Sequence, residues 1–224
     1  KVLINAFVSA EDGRFFEHKG ISLIAILRAA VKNIEAGGVV QGGSTITQQV
    51  AKAMLLSPER KLLRKIKEAI LAYRMEKKFS KEDILTLYLN HIYLGEGAYG
   101  VEAASMTYFG KHVEEITLPE AALLAGLTSS PSRHSPVSHF EKAKERQVYV
   151  LQRMVEEGYI TPDEEREALN QILTLRKKED INRPLAPYFT EHIRRYISEK
   201  YGDGVLYHDG LKIYTQLNIK MQES

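Results

Sequence analysis

The 224-residue chain contains no cysteine, which excludes disulfide bonds and thiolate chemistry. Its formal net charge is only +2, so an anionic partner would have to be attracted by local clusters of charge. No run of apolar residues approaches the roughly 20 that a membrane-spanning helix needs. A hydrophobic content of 44% at this length suffices for one large core, alone or with a short appendage.

The most unusual mixture of side chains lies in residues 9–20, where an adjacent acid pair, two phenylalanines, an imidazole and a closing glycine precede an apolar helix. Glu11 follows an apolar segment, and a partly shielded glutamate can accept a proton near neutral pH. Glu11 and Asp12 could equally form a solvated turn, and His18 could be a structural hydrogen-bond partner. The stretch therefore indicates a catalytic base, with a solvated turn as the alternative.

A glycine-rich loop over residues 37–43 leads into a polar helix start that carries Ser44, Thr45, Gln48 and Gln49, followed by Lys52. Thr45 and Gln48 have the spacing of a capping box, which is the structural explanation for two of these residues. Capping needs one hydroxyl and one amide, and the segment offers more. Donors gathered at a helix N-terminus suit an anionic or sugar-like ligand.

Residues 59–78 concentrate positive charge, with eight Lys or Arg against three acids. Arg64, Lys65 and Glu68 lie at spacings of three and four residues, so they share one face of the predicted helix. We expect the apolar residues of this segment, Leu62, Leu63, Ile66, Ile70 and Met75, to anchor its opposite face. A solvated charged helix is one explanation, and a site for a diphosphate or a metal diphosphate is the other.

The rest of the chain is predicted to be helical until its last fifty residues. Residues 22–34 have helical spacing and end at Gly37-Gly38. Helix starts are predicted at Ser80 with Asp83, Thr117 with Glu120, Ser138 with Glu141, and Thr161 with Glu164. Residues 176–187 are typical of a linker, and residues 205–217 alternate around Asp209-Gly210, which predicts a β-hairpin.

Four pieces occur together in order: Glu11-Asp12-x-x-Phe15-x-x-His18-x-Gly20, Gly43-Ser44-Thr45-Ile46-Thr47-Gln48-Gln49, Arg64-Lys65-x-x-Glu68 and Arg146-x-x-x-Val150-Leu151-x-x-Met154. In this combination the chain resembles the peptidoglycan glycosyltransferase family (glycosyltransferase family 51), the domain of class A penicillin-binding proteins. The resemblance covers residues 1–175. Residues 176–224 resemble a linker and the start of a truncated transpeptidase region; neither Ser-x-x-Lys nor Lys-Thr-Gly, motifs of acyl-enzyme chemistry, occurs here. Because the chain begins at Lys1 without Met, we expect it to be a fragment.

The resemblance implies a mainly α, lysozyme-like fold with a small membrane-associated lobe. It implies an enzyme that polymerises lipid II into β-1,4-linked glycan strands, with inversion at the anomeric carbon and release of undecaprenyl diphosphate. It further implies a location on the extracytoplasmic face of the bacterial cytoplasmic membrane, partnership with lipid II, the growing glycan and the membrane surface, and inhibition by moenomycin-type compounds. No organic cofactor and no nucleic acid are expected.

Roles follow from the resemblance residue by residue. Glu11 would be the general base, and Glu68 would lie near the departing diphosphate, where a divalent metal ion (Mg or Mn) could bind. The substrate-binding residues would be Asp12, His18, Ser44, Thr45, Gln48, Gln49, Lys52, Arg64, Lys65 and Asn90.

Two other classes remain open from the residues themselves. A lysozyme-like glycoside hydrolase or lytic transglycosylase would also use two carboxylates on a helical fold, but it has no use for a basic helix beside its acid. A helical nucleic-acid-binding module could use residues 59–78 on phosphates, although the near-neutral total charge argues against it.

Overall fold

The computed structural model describes residues 1–35, 37–38, 42–54, 61–176, 186–202, 204–205 and 213–217, and they are mainly helical, as expected. The helices are α1 (Val2–Glu11), α2 (Leu23–Glu35), α3 (Ile46–Met54), α4 (Lys61–Glu76), α5 (Lys81–His91), α6 (Val101–Tyr108), α7 (Leu118–Leu127), α8 (Phe140–Glu156), α9 (Pro162–Asn170) and α10 (Pro187–Tyr201). The chain forms two compact units, Lys1–Arg176 and Lys177–Ser224. Within the described ranges, no helix is long and apolar enough to cross a membrane.

The core of the first unit is built around α7, whose sequence is apolar on nearly all sides. A helix of this kind has to be surrounded by protein, and every residue from Pro119 to Leu127 is buried. Helix α7 packs against α1 and α8, where Phe7 and Leu151 are fully buried. This packing fixes the C-terminal end of α1, where Glu11 lies, at the edge of the rigid core.

A second group of helices forms where α3 packs against α4 and α5. The expected orientation of α4 is wrong: Leu63, Ile66 and Ile70 are at least half exposed, whereas Glu68 is 2% exposed. Among the predicted anchor residues whose side chains the structure describes, Met75 alone is confirmed as buried, and the side chain of Leu62 lies outside the description. Helix α4 therefore turns an acid inward and apolar side chains outward, because the buried carboxylate finds cationic partners on its own helix.

Most of the predicted helix starts are confirmed by their hydrogen bonds. Capping boxes are present at Ser80, Thr117 and Thr161. The predicted start at Ser138 is wrong, because α8 begins at Phe140 and the Ser138 N–H bonds in a turn to the Ser135 carbonyl at 3.2 Å. Local sequence thus located the ends of helices to within about two residues.

The connection after α1 packs against α4 at Gly20, where the backbone conformation and the close contact both require glycine. Gly20 has φ +90°, and a Cβ built there would lie 2.8 Å from the Ala72 carbonyl oxygen. Only glycine adopts this conformation and tolerates this approach without strain. The close contact holds residues 12–20 against the middle of α4.

The second unit contains α10, which the sequence analysis missed. Its start carries Pro187 in the first turn, a position that proline favours. The turn of the predicted hairpin, Asp209-Gly210, lies outside the described residues, and residues 213–217 have no regular secondary structure. The hairpin and the relation of residues 176–224 to a transpeptidase region stay predictions.

Candidate active site

One cleft in the first unit brings together most of the polar residues singled out from the sequence. Its volume is about 700 Å³, and it is lined by Ala10, Glu11, Gly42, Ser44, Gln48, Gln49, Lys52, Arg64, Lys65, Glu68, Thr128, Ser129, Arg146 and Tyr149. The lining includes four basic side chains and two acidic ones. A cleft with this excess of positive charge favours an anionic ligand.

Glu11 lies at the last position of α1, and two neutral side chains hold its carboxylate. Gln49 on α3 donates from Nε2 to Glu11 Oε2 at 2.6 Å, and the Thr128 hydroxyl contacts Glu11 Oε1. A carboxylate has about four lone-pair sites, so both oxygens retain capacity to accept a proton from a ligand in the cleft. This geometry suits a general base.

Asp12, the next residue, is buried and points away from the cleft. Its Oδ2 accepts hydrogen bonds from the Ile46 N–H at 3.1 Å and from His18 Nε2 at 2.8 Å. The Gly20 N–H donates to His18 Nδ1 at 3.1 Å, so the imidazole carries its proton on Nε2. Asp12 and His18 therefore connect the end of α1 to the start of α3 and do not line the cleft.

The start of α3 is closed by a reciprocal cap. The Thr45 N–H donates to Gln48 Oε1 at 3.0 Å and the Gln48 N–H donates to Thr45 Oγ1 at 3.1 Å. Thr45 Oγ1 also donates to the Gly20 carbonyl at 2.7 Å. Thr45 is buried and serves the backbone, whereas Gln48 and Gln49 reach the cleft from the same helical turn.

Glu68 and its neighbours form the opposite wall. Lys65 Nζ donates to Glu68 Oε2 at 3.0 Å and to Ser44 Oγ at 2.7 Å, and Arg64 Nε lies 3.4 Å from Glu68 Oε1. The buried carboxylate orients both cations, whose side chains remain partly exposed. Glu11 has only neutral partners among its described hydrogen bonds, and Glu68 has cationic ones, so the two acids differ in environment.

A third wall comes from residues whose functional placement the sequence analysis did not anticipate: Thr128 and Ser129 at the end of α7, and Arg146 and Tyr149 on α8. The Arg146 guanidinium lies 4.4 Å above the Tyr149 ring centre. The signal available in the sequence was the pair of hydroxyl residues that directly follows the apolar run of α7. Arg146 belongs to the fourth motif, but no role had been inferred for it.

Two groups around the cleft have displaced pKa values. Burial, together with the charges of Glu11 and Asp12, raises the pKa of Tyr88 well above its ordinary value, so its phenol stays protonated. Burial, followed by the charges of Arg146 and other nearby cations, lowers the pKa of His134. Both groups are therefore neutral at pH 7.

Both catalytic candidates, Glu11 and Glu68, line the cleft. Six of the ten residues expected to bind substrate also line it, namely Ser44, Gln48, Gln49, Lys52, Arg64 and Lys65. Three of the predicted binding residues, Asp12, His18 and Thr45, do not line the cleft and instead join the end of α1, the following loop and the start of α3. Asn90 is exposed on α5 and is not among the residues that line the cleft. Its predicted contact with substrate stays a prediction.

The described side chains around Glu68 do not by themselves form a site for a resident metal ion. In the part of the chain that the structure describes, no three His, Cys, Asp or Glu side chains form a group that could hold one. Both Glu68 oxygens are already shared with Lys65 and Arg64. Mg²⁺ and Mn²⁺ prefer several oxygen ligands, and this donor set offers one carboxylate beside two cations.

Comparison with known proteins places this chain in a family. A family model described as transglycosylase matches residues 1–155. Penicillin-binding protein 1A of Aquifex aeolicus is 52% identical over 221 residues, which are 99% of this chain and 30% of that protein. Penicillin-binding protein 1A of Escherichia coli K12 is 43% identical over 222 residues, which are 99% of this chain and 26% of that protein.

A solved structure gives the same result for the fold. The crystal structure of penicillin-binding protein 1A from Haemophilus influenzae matches 79% of this chain and 23% of that one, with 33% identity and a TM-score of 0.54. The chain spans less than a third of the length of the curated relatives it matches.

Proposed function

The chain belongs to the transglycosylase family, and from this membership we propose that it is a peptidoglycan glycosyltransferase that polymerises lipid II into β-1,4-linked glycan with release of undecaprenyl diphosphate. The observation that carries the proposal is the cleft itself, which combines a carboxylate held by neutral groups with a separate cationic wall. A reaction that removes a proton at one end and expels a diphosphate at the other needs both.

Glu11 is proposed as the general base. It takes the proton from the 4-hydroxyl of the acceptor sugar while that oxygen bonds to the anomeric carbon of the growing chain. The bond from that carbon to the diphosphate breaks, and the electron pair leaves with the diphosphate. Attack from the opposite face inverts the α-linked donor to a β product.

The cationic wall is proposed to bind the departing diphosphate. Lys65 and Arg64 face the cleft with their positions fixed by Glu68, and Lys52 adds charge from the last turn of α3. Fixed cations stabilise charge that develops in the transition state without having to reorient. Ser44 Oγ accepts a hydrogen bond from the Lys65 ammonium, and its own hydroxyl proton can donate to the diphosphate. We derive no step through a metal ion, because the described side chains around Glu68 form no metal site by themselves.

Membrane association is proposed for the face formed by α2. Leu23 and Ile34 are 72% and 80% exposed, and Ile24, Leu27 and Val31 are also exposed. Apolar helices left open in this way are typical of surfaces that lie in a membrane interface. Such a surface would let the polyprenyl tail stay in lipid while the diphosphate reaches the cleft, which agrees with a site on the extracytoplasmic face of the cytoplasmic membrane. Moenomycin-type compounds are proposed to compete for the cleft.

The test is polymerisation of labelled lipid II in detergent, with glycan polymer and released undecaprenyl diphosphate measured together. We expect Glu11→Gln to abolish both products and Glu68→Gln to reduce them strongly, with unchanged circular dichroism. Glu167→Gln, on the exposed face of α9, is the matched control and should retain activity. Cleavage of preformed peptidoglycan with lipid II untouched would favour the hydrolase alternative, and a wild-type chain inactive on lipid II would overturn the proposal.

A further inference from the structure

The hydroxyl of Thr128 lies between two acceptors. It contacts Glu11 Oε1 on one side and the Ala125 carbonyl oxygen, at 2.8 Å, on the other. Thr128 terminates α7 with helical backbone angles, so its side chain is fixed by the most buried helix of the core. It also lines the cleft beside Glu11.

A threonine hydroxyl has one proton, so it cannot donate fully to both oxygens at once. When Glu11 is ionised, the hydroxyl proton points to Glu11 Oε1, because a charge-assisted hydrogen bond is roughly twice as strong as a neutral one. When Glu11 is protonated on Oε1, that O–H can donate to Thr128 Oγ1. The threonine proton then turns to the Ala125 carbonyl, where an acceptor is already in place.

Gln49 cannot make this adjustment by moving a proton alone. Its Nε2 group only donates, and it does so to Glu11 Oε2. Reversal at Gln49 would require the whole amide to rotate so that Oε1 faces Glu11. Among the described hydrogen bonds of Glu11, the contact with Thr128 is thus the one that reverses when a single hydroxyl proton rotates.

We propose that Thr128 is a positioning residue that holds Glu11 in one orientation through both of its protonation states by reversing the hydrogen bond between them. This inference rests on the proposed function, in which the proton lost by the acceptor hydroxyl ends on the Glu11 carboxyl group. Glu11 gains the one proton that the acceptor hydroxyl loses. Thr128 keeps its own proton, which turns from Glu11 Oε1 to the Ala125 carbonyl oxygen. The catalytic proton returns to solvent before the next addition.

The pair has a measurable consequence in the pH dependence of catalysis. Replacing Thr128 by the isosteric valine removes a charge-assisted bond from ionised Glu11 and a neutral bond from protonated Glu11. The ionised form, which is the form that acts as the base, loses more than the protonated form. We expect the acidic limb of the rate profile to move to higher pH by about one unit, and the rate near that limb to fall about tenfold.

The experiment compares wild type, Thr128→Val, Thr128→Ser and Thr86→Val in lipid II polymerisation from pH 5 to pH 9. Thr128→Ser keeps the hydroxyl and should restore the wild-type profile. Thr86 is the matched control, because it is exposed on α5 and makes the same kind of bond to a carbonyl of its own helix, that of Glu82 at 2.8 Å. Thermal unfolding of each variant separates a loss of stability from a change in the profile.

A pH–rate profile of Thr128→Val that coincides with that of wild type would overturn the inference, even if the variant were less stable. A purely structural role at the end of α7 predicts a lower melting temperature and an unshifted pH–rate profile. A Thr128→Ser profile shifted as far as that of Thr128→Val would overturn it as well. Inactivity of the wild type on lipid II would instead contradict the proposed function.

Discussion

Replacing Asp12 by Asn should destabilise the first unit far more than the same replacement of an exposed aspartate. Asp12 is 5% exposed, and one of its oxygens accepts both the Ile46 N–H and His18 Nε2–H. These bonds join the end of α1, the start of α3 and the loop between them. The substitution keeps the shape of the side chain, removes its charge and replaces one acceptor oxygen by an NH2 group.

The size of the effect follows from the two hydrogen bonds. A bond to a charged group contributes about 1.5–3 kcal/mol and a neutral bond about 0.5–1.5 kcal/mol. Asn can place its oxygen where Oδ2 lies, so each bond weakens by about 1 kcal/mol and the free energy of unfolding falls by about 2 kcal/mol. For a domain of this size, that loss lowers the melting temperature by about 4–8 °C. Asp12→Ala leaves both donors without a partner and should cost about twice as much.

Urea unfolding followed by circular dichroism measures this difference. Asp163→Asn is the matched control, because Asp163 is exposed on α9 and pairs with an exposed arginine. Such a surface pair contributes little, so the control should stay within about 0.5 kcal/mol of wild type. Equal unfolding free energies for Asp12→Asn and Asp163→Asn would refute the conclusion that Asp12 fastens α1 to α3.

Three other changes test separate parts of the structure. Burial alone would raise the pKa of Glu120, but hydrogen bonds from Lys111 and the start of α7 outweigh it and hold the pKa below its ordinary 4.5. The ionised Glu120 carboxylate contributes to stability above pH 4.5, and this contribution is lost as pH falls through the pKa of the folded protein. The urea midpoint of Glu120→Gln should therefore be lower than that of wild type at pH 7 and converge with it in acid. A difference in midpoint that stays constant with pH would contradict this. Gly20→Ala should lower the unfolding free energy by more than about 1 kcal/mol, because of its φ of +90° and the contact with Ala72, and an unchanged thermal midpoint would speak against that contact. Leu27 is 67% exposed on α2, so Leu27→Ser should leave the free energy of unfolding within about 0.5 kcal/mol of wild type. In a sedimentation assay, the variant should bind phospholipid vesicles several-fold more weakly. Unchanged binding would argue against α2 as the membrane face.

The sequence determined the features that depend on neighbouring residues. The capping boxes at Ser80, Thr117 and Thr161 were predictable because both partners lie within one helical turn. The mainly helical fold was predictable from apolar spacing. The grouping of Arg64 and Lys65 with Glu68 followed from helical geometry alone, and the family resemblance rested on motifs that can be recognised in order along the chain.

Only the tertiary structure decided which side of a helix faces inward and which distant residues meet. The apolar side chains of α4, such as Ile66, were expected inside and are exposed, because Glu68 finds cationic partners on its own helix and can be buried with them. Glu11 and Thr128 are 117 positions apart and come into contact only because α1 and α7 pack together in the core. Local pattern specifies an element and its ends, whereas the direction in which an element turns depends on charges and surfaces supplied by the rest of the chain.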